Sequence, residues 1–517
     1  MTTATEPGRR RLLVAAALST LLVAQLLLGD VLVGLDIGRL SVLATLLLAL
    51  VLPLVARLSQ PGPWSGGTVY CLLFGIFHFG YLVLVALHLP FADNDADYAA
   101  LWFFGPWVQK AIHLCMLALT AFAAAYAWVA VGSGRRPDDD VRRAPTSAGP
   151  EVAVVGAATC AAGVLVYLGY IALEAPHLLT GGNYEQYNDT VGGTAVLATA
   201  LLLITYGVVL TAAAPSCRSR QVGLLVFAGY ALVVLPLGVR TAVLFPAAAA
   251  AVAAGRTHRM PRPRSVVVLV LLVLTVISVV RDVRLVGVST ATVQAASFNP
   301  LSALGELGQT LRPVALTVDW RDAYGEAAYG GITYVAPVLR VGERLAGLPR
   351  PPGASDPRLA STVVSSRVST FQIGYSSAAE AYLNFGTAGV VGVFLLLGAL
   401  FSGLDRFRLA SPAVAALAGV LMASQGLAVR NASNSVFVQV VAGALIVGAA
   451  VAVSRWRGAR SAPPTRSRAG GVVPAGRSST GEREHLVPAQ PRRPAGRAGA
   501  HALEPREHRR EGHGRER

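Results

Sequence analysis

Glu380, Tyr382 and Asn384 fall together where a long polar stretch runs into an apolar one, FQIGYSSAAEAYLNFGTAGVVGVFLLLGALFSGL at 371–404. A carboxylate beside the hydrocarbon layer is costly, so it needs a partner or a task. A carboxylate within reach of a hydroxyl can take its proton as the hydroxyl attacks. Glu380 borders the one large segment between apolar spans, so these three residues predict an active site at a membrane surface.

Other residues on that side have suitable chemistry. Gly238-Val239-Arg240 closes one apolar span, and Arg430 ends another, followed by Asn431, Ser433 and Asn434. A guanidinium fork can hold a phosphate; it can equally snorkel or pair with a carboxylate such as Glu380. Within the large segment, Asn299-Pro300 is a helix start with Asn as cap and Pro in the first turn. Leu301, Leu304, Leu307, Leu311 and Val314 then form a helical stripe, which Pro313 is expected to end or kink. Glu306, Gln309, Thr310 and Arg312 fall on its other faces. Asp319, Trp320, Arg321, Asp322, Tyr324, Tyr329 and Tyr334 follow. Aromatic rings beside carboxylates and Arg suit a sugar site; an interfacial aromatic belt with solvated charges has the same composition. Arg340 and Arg344 are read as snorkelling from a second interfacial helix.

The elements that must hold these groups are helices in a membrane. Apolar residues dominate, charged residues are scarce and mean hydropathy is +0.55. Uncharged runs long enough to cross a bilayer recur along the chain. They predict about twelve spans, near 12–29, 38–56, 67–89, 108–131, 152–173, 193–213, 221–238, 241–254, 265–280, 383–404, 411–429 and 434–453. The eighth is short and Ala-rich. An apolar run after Arg9–Arg11 resembles a signal peptide, but no small-residue cleavage site follows, so an uncleaved first span is expected. Basic residues sort onto alternate loops, including Arg57, Arg135/Arg136, Arg142/Arg143, Arg218/Arg220, Arg256–Arg264 and Arg406/Arg408. Acidic residues such as Asp93, Asp95 and Asp97 fall on the others. By the positive-inside rule both termini are cytoplasmic. The expected organisation is nine spans over 1–280, a large extracytoplasmic loop with interfacial helices over 281–376, three spans over 377–453, and a disordered basic cytoplasmic tail over 454–517.

The net charge of +16 divides into +9 on the tail, from 15 Arg and 6 Glu, and +7 elsewhere. No nucleic-acid recognition fold accompanies it, so its expected contacts are anionic lipid headgroups. None of the four cysteines falls in the large loop, which excludes a disulfide framework there. No internal repeat of the kind many transporters use is visible.

Four stretches together resemble the Wzy-type O-antigen polymerases, which join oligosaccharide repeat units: GVRTAVLFP at 238–246, LGELGQTLRP at 304–313, AYGGITYVAPVL at 328–339 and SSAAEAYLNFGTAGVVG at 376–392. The last, an E-x-Y-x-N-F-G-x-x-G pattern opening a span, is the most specific. The resemblance implies a GT-C-like, lipid-dependent glycosyltransferase of the plasma membrane with its active site facing outward. Its donor would be an undecaprenyl-pyrophosphate-linked oligosaccharide, with no nucleotide sugar, cofactor or metal, and a flippase or chain-length co-polymerase would be a partner. An acceptor hydroxyl attacks the anomeric carbon and the lipid pyrophosphate leaves. On this reading Glu306, Glu380 and Asp319 are the candidate catalytic carboxylates, and Arg240, Arg430 and Arg312 the pyrophosphate ligands. Tyr334, Tyr382, Asn384 and Arg321 are the sugar contacts. Gly386, Gly389 and Gly392 serve close helix packing.

Three other readings stand beside this one. The same resemblance is compatible with an O-antigen ligase-like protein. Asp93-Asn94-Asp95-Ala96-Asp97 contains D-x-D patterns suited to a divalent cation in a polyprenyl-phosphate-sugar-dependent transferase. A lipid-linked glycan transporter would need charge in the middle of its spans, where this chain has almost none.

Overall fold

The computed structural model describes residues 6–59, 61–91, 102–132, 151–181, 184–258, 260–261, 263–286, 298–353, 355–368, 374–406 and 411–461. Asp93, Asp95, Asp97, the basic run 135–143 and the tail from 462 onward lie outside the described residues. Among those described, the regular structure is helical. The first half holds α1 (Glu6–Leu27), α2 (Gly29–Val33), α3 (Ile37–Leu58), α4 (Gly66–Ala86), α5 (Val108–Val131), α6 (Glu151–Glu174), α7 (Leu178–Gly181), α8 (Tyr184–Thr190) and α9 (Ala195–Ala213). Then come α10 (Arg218–Val234), α11 (Thr241–Thr257), α12 (Pro263–Val286), α13 (Pro300–Gly308), α14 (Leu311–Asp322), α15 (Ile332–Leu345), α16 (Ala360–Ser365), α17 (Ser377–Asp405), α18 (Pro412–Arg430) and α19 (Val436–Ser461).

Nine helices among the described residues are long and apolar enough to span a bilayer: α1, α3, α4, α5, α6, α9, α17, α18 and α19. The protein is a multi-pass membrane protein. Helices form at the other three predicted spans as well, but they differ in kind. α10 and α11 have 17 residues each; at ~1.5 Å per residue each reaches about 26 Å, short of the roughly 30 Å hydrocarbon core. α12 is longer, yet carries charge towards both ends.

α5 is the buried centre, with α1, α3 and α17 packed around it. α4 runs beside α3 and acts as the ruler of the molecule. At its first turn the backbone N–H groups of Gly66 and Gly67 donate to Asp405, at the end of α17. About three turns on, His78 Nε2 lies 2.7 Å from Ser376 Oγ, the N-cap of the same α17. Next to it, Gly80 meets Gly308 of α13 with no side chain between them; a Cβ on Gly308 would lie 3.0 Å from Gly80 Cα. Small residues allow such backbone contact between helices in lipid. The segments carrying Glu306 and Glu380 are thereby docked at the same end of α4.

The large loop is mostly helical where described. Asn299 caps α13 through its side chain, which accepts from Leu301 N at 3.0 Å, and Pro300 fills the first position, as expected. The chain breaks at Gln309–Thr310, however, so Pro313 sits in the opening turn of α14 and does not end a helix. A first-turn proline loses no helical hydrogen bond. Leu307, Leu311 and Val314 of the stripe are buried against the bundle.

α17 is interrupted at Gly386, whose φ of 66° and ψ of −154° are non-helical. Only glycine adopts that conformation without strain. The short segment before it carries Glu380, Tyr382 and Asn384; the long segment after it spans. The packing role expected of the glycines here is corrected accordingly. Gly386 is a hinge, Gly389 is approached by Phe385 and Ala381 of its own helix, and Gly392 faces open space.

Candidate functional site

Glu380 is fully buried, and its carboxylate is filled by protein donors. Ser433 donates twice, from its backbone N–H to Oε2 and from its hydroxyl to Oε1, both at 2.7 Å. Thr333 Oγ1 donates to Oε1 at 2.7 Å. Thr333 in turn accepts from Asn384 Nδ2, also at 2.7 Å. Asn384 Nδ2 further donates to the Glu380 carbonyl, and Asn384 Oδ1 accepts from Gly331 N. This network ties the first segment of α17 to the start of α15 and to the turn after α18. Asn384 spends its amide inside the protein, so its expected bonds to a sugar are not on offer in this arrangement.

Arg240, which precedes α11, forms a bidentate pair with Glu306 of α13. Nη1 donates to Oε2 at 2.6 Å and Nη2 donates to Oε1. The side chains are 2% and 9% exposed. Two residues assigned separate roles in the sequence are thus partners. A buried pair of this kind holds both groups in one geometry, because losing either would strand the other's charge.

A third cluster flanks Glu380. Lys110 Nζ lies 2.5 Å from Asp322 Oδ2, and Tyr382 OH donates to Asp322 Oδ1 at 2.8 Å. Lys110 and the Arg321 guanidinium each stand over the Tyr382 ring, at 5.3 and 5.2 Å from its centroid. Arg321 Nη1 also donates to the Tyr382 carbonyl at 2.5 Å. Tyr382 is 4% exposed, so neither its ring nor its hydroxyl is presented to a sugar. Asp322 belongs to the acidic and aromatic group expected to suit a sugar, whereas Lys110, the chain's only lysine, was missed as a site residue, its uniqueness being the available signal. Arg367, ion-paired with Glu326, covers the Trp320 ring at 5.1 Å.

The remaining candidates are more open. Asp319 is half-buried on α14, and among the described residues its carboxylate has no partner. Arg312 lies seven residues earlier, on the same helical face and also half-buried. Arg430 is half-buried at the end of α18, with its backbone against Gly374. The Tyr334 ring stacks on Phe385 at 6.5 Å. Burial, and then the Glu380 carboxylate, push the Tyr334 hydroxyl well above its ordinary pKa. Arg340 does not snorkel: its Nη1 donates to the buried Asp356 at 2.5 Å. Arg358 joins the same carboxylate and Glu343.

The other end of α17 holds a cluster with no counterpart in the sequence reading beyond its place in a basic loop. Arg256 is buried in the last turn of α11 and donates to Asp405 and to the Leu404 carbonyl. Asp405 also accepts from Gly66 N, Gly67 N and Tyr126 OH. It is the anionic cap of α4.

The fold and these clusters define a class: a polytopic helical membrane protein with buried polar and ionic networks at both ends of the bundle and charged, partly open groups beside one of them. A family model described as O-antigen polysaccharide polymerase Wzy matches residues 20–454. The chain belongs to that family, and membership implies a glycosyltransferase-type polymerase of O-antigen repeat units acting on lipid-linked oligosaccharide. Neither a curated protein nor a solved structure matches the chain.

Proposed function

We propose that the protein joins undecaprenyl-pyrophosphate-linked oligosaccharide repeat units at the outer face of the plasma membrane. About twelve spans in a GT-C-like arrangement, with both termini in the cytoplasm, would put α13–α16 outside. Family membership over residues 20–454 carries the reading; the geometry says which groups are available. An acceptor sugar hydroxyl attacks the anomeric carbon of the donor glycan, and the bond to the lipid pyrophosphate breaks with its electron pair. Cations fixed at the leaving pyrophosphate stabilise the transition state more than the ground state. Arg312 and Arg430, both half-buried, have that task, and Arg240 joins them only by releasing Glu306. Asp319 receives the hydroxyl proton, since Glu306 is paired and Glu380 is sealed. Arg321, Tyr334 and the Lys110–Asp322 pair shape the sugar-binding mouth. Any flippase or chain-length co-polymerase would meet this outer face.

The test is deletion of the gene in its native host, with mass spectrometry of undecaprenyl-linked glycans. A single accumulated repeat unit and loss of high-molecular-weight polymer is the expected result. Polymer of normal length left on its lipid would indicate a ligase, and a repeat unit lacking one sugar a polyprenyl-phosphate-sugar transferase. An unchanged glycan profile would overturn the reading.

A further inference from the structure

A cleft of about 250 Å³ lies between α9, α11, α18 and α19. Thr241, the first residue of α11, and Ser435, just before α19, are on its walls. Ala198 of α9 and Val438 of α19 line it too and are exposed, so the cleft opens towards lipid between two spanning helices. Thr205 and Gln439 lie deeper. Gln439 is one turn along α19 from Ser435, and Tyr206 OH donates to the Gln439 carbonyl at 2.6 Å, which sets Thr205 at about the same level. Thr205 is 7% exposed. A threonine inside a helix commonly turns its hydroxyl onto the carbonyl four residues earlier. Thr199 and Thr211 of α9 do so, at 2.8 and 2.7 Å. Thr205 does not. Among the described residues, nothing bonds its hydroxyl, those of Thr241 and Ser435, or the Gln439 amide. Four neutral polar groups thus line an otherwise apolar cleft, and a polar group left unbonded beside hydrocarbon is costly.

None of the described residues lining the cleft is charged, so an anionic head finds no counterion there. A bare hydrocarbon chain brings no partner for the four groups, and a helix about 10–12 Å across is too thick to enter. All four groups can donate, and a carbonyl can only accept. The matching ligand is therefore a carbonyl joined to a hydrocarbon chain. We propose that the cleft binds a diacyl glycerophospholipid of the bilayer, its ester carbonyls accepting from these donors and one acyl chain running between α9 and α19. Such esters lie where the interfacial region meets the hydrocarbon core, the depth at which α11 and α19 begin. Ser435 is two residues from Ser433, which holds Glu380 through its N–H and its hydroxyl. An occupied cleft therefore braces the turn that fixes Glu380. The proposal does not depend on the polymerase reading.

The full chain in nanodiscs would be photolabelled with phosphatidylglycerol carrying a diazirine beside an acyl ester. Peptide mapping should concentrate adducts on α9, α11, α18 and α19. Thr205→Val combined with Gln439→Leu should lower adduct yield in the cleft by about tenfold, and Thr205→Val alone, which exchanges a hydroxyl for a methyl, by about threefold. Thr199→Val, whose hydroxyl is spent on its own helix, should leave the yield as in the wild type. Adducts spread evenly over the lipid-facing surface, or cleft adducts as abundant in the double variant as in the wild type, would overturn the proposal. So would cleft adducts removed by unlabelled undecaprenyl pyrophosphate but not by unlabelled phosphatidylglycerol. A cleft that takes no adduct would overturn it equally, marking a water-filled vestibule.

Discussion

Removing the Glu380 carboxylate separates architecture from chemistry at this site. Three donors converge on it at 2.7 Å, two from Ser433 and one from Thr333. The polarity of the chain is fixed, because the Thr333 hydroxyl accepts from Asn384 and so must give its proton to Glu380. Hydrogen bonds to a charged group are worth about 1.5–3 kcal/mol each, and a stranded buried donor costs about 1–3 kcal/mol. Glu380→Ala strands these donors and should cost about 3–5 kcal/mol, a large part of the roughly 5–15 kcal/mol typical of folded domains. Glu380→Gln keeps an oxygen for the two hydroxyls but turns an NH₂ towards the Ser433 N–H, costing about 1–3 kcal/mol. Ser433→Ala removes one bond to the carboxylate and should cost about 1.5 kcal/mol, the low end of that range, because Oε1 keeps its bond from Thr333. Thermal melting of the purified variants in nanodiscs should find Glu380→Ala the least stable, Glu380→Gln intermediate and Ser433→Ala the most stable of the three, with polymer yield in the host following the same order. A Glu380→Gln variant that melts with the wild type yet makes no polymer would refute the latch and make Glu380 a participant in the reaction.

Asp319→Asn should abolish polymer on a gel of extracted glycans while leaving the melting temperature within error of wild type, since no partner is lost. Arg240→Lys keeps the charge but loses the fork that meets both oxygens of Glu306; polymer should fall sharply, and Arg240→Ala should further destabilise the fold by about 3–5 kcal/mol, read by melting. Asp405→Asn at the opposite end should lower melting temperature severely, because Arg256 is left buried beside a neutral group. The hydrogen-bonded Arg358 guanidinium holds the Asp356 carboxyl well below its ordinary value. A depressed folded pKa stabilises above the unfolded value near 4 and loses that contribution as pH falls below it. Trypsin cleavage after Arg358, measured relative to the denatured chain at each pH, should therefore be slow and constant from neutral pH to about pH 5, and Asp356→Asn should make it fast throughout that range.

Nine of the expected spans and the Asn299–Pro300 helix start were legible because hydropathy and capping are local. The pairing of Arg240 with Glu306 was not, since it joins residues 66 positions apart and each alone is as consistent with a ligand site. Glu380 was correctly singled out as a costly carboxylate, but its donors come from Thr333 and Ser433, whose hydroxyls give no sequence signal. The break at Gly386 hid among glycines that otherwise read as packing positions. Asp405 and Arg256 looked like ordinary loop charges at a membrane face, and only their convergence on the first turn of α4 separates them from the solvated ones.

α17 is fastened at both extremities: Glu380 is locked to α15 and to the turn after α18, and Asp405 to α4, α11 and Tyr126. The anchors are 25 residues apart, about 37 Å along a straight helix and less across the Gly386 break. Most transmembrane helices adjust to a thicker or thinner bilayer by tilting or sliding, at a modest cost per ångström. This one has no such freedom, so mismatch must be taken up by the lipid or by the peripheral helices, α12 among them. Lipids of different acyl length should therefore leave the anchored core unchanged and shift the peripheral helices, which hydrogen exchange in bilayers of different thickness would read.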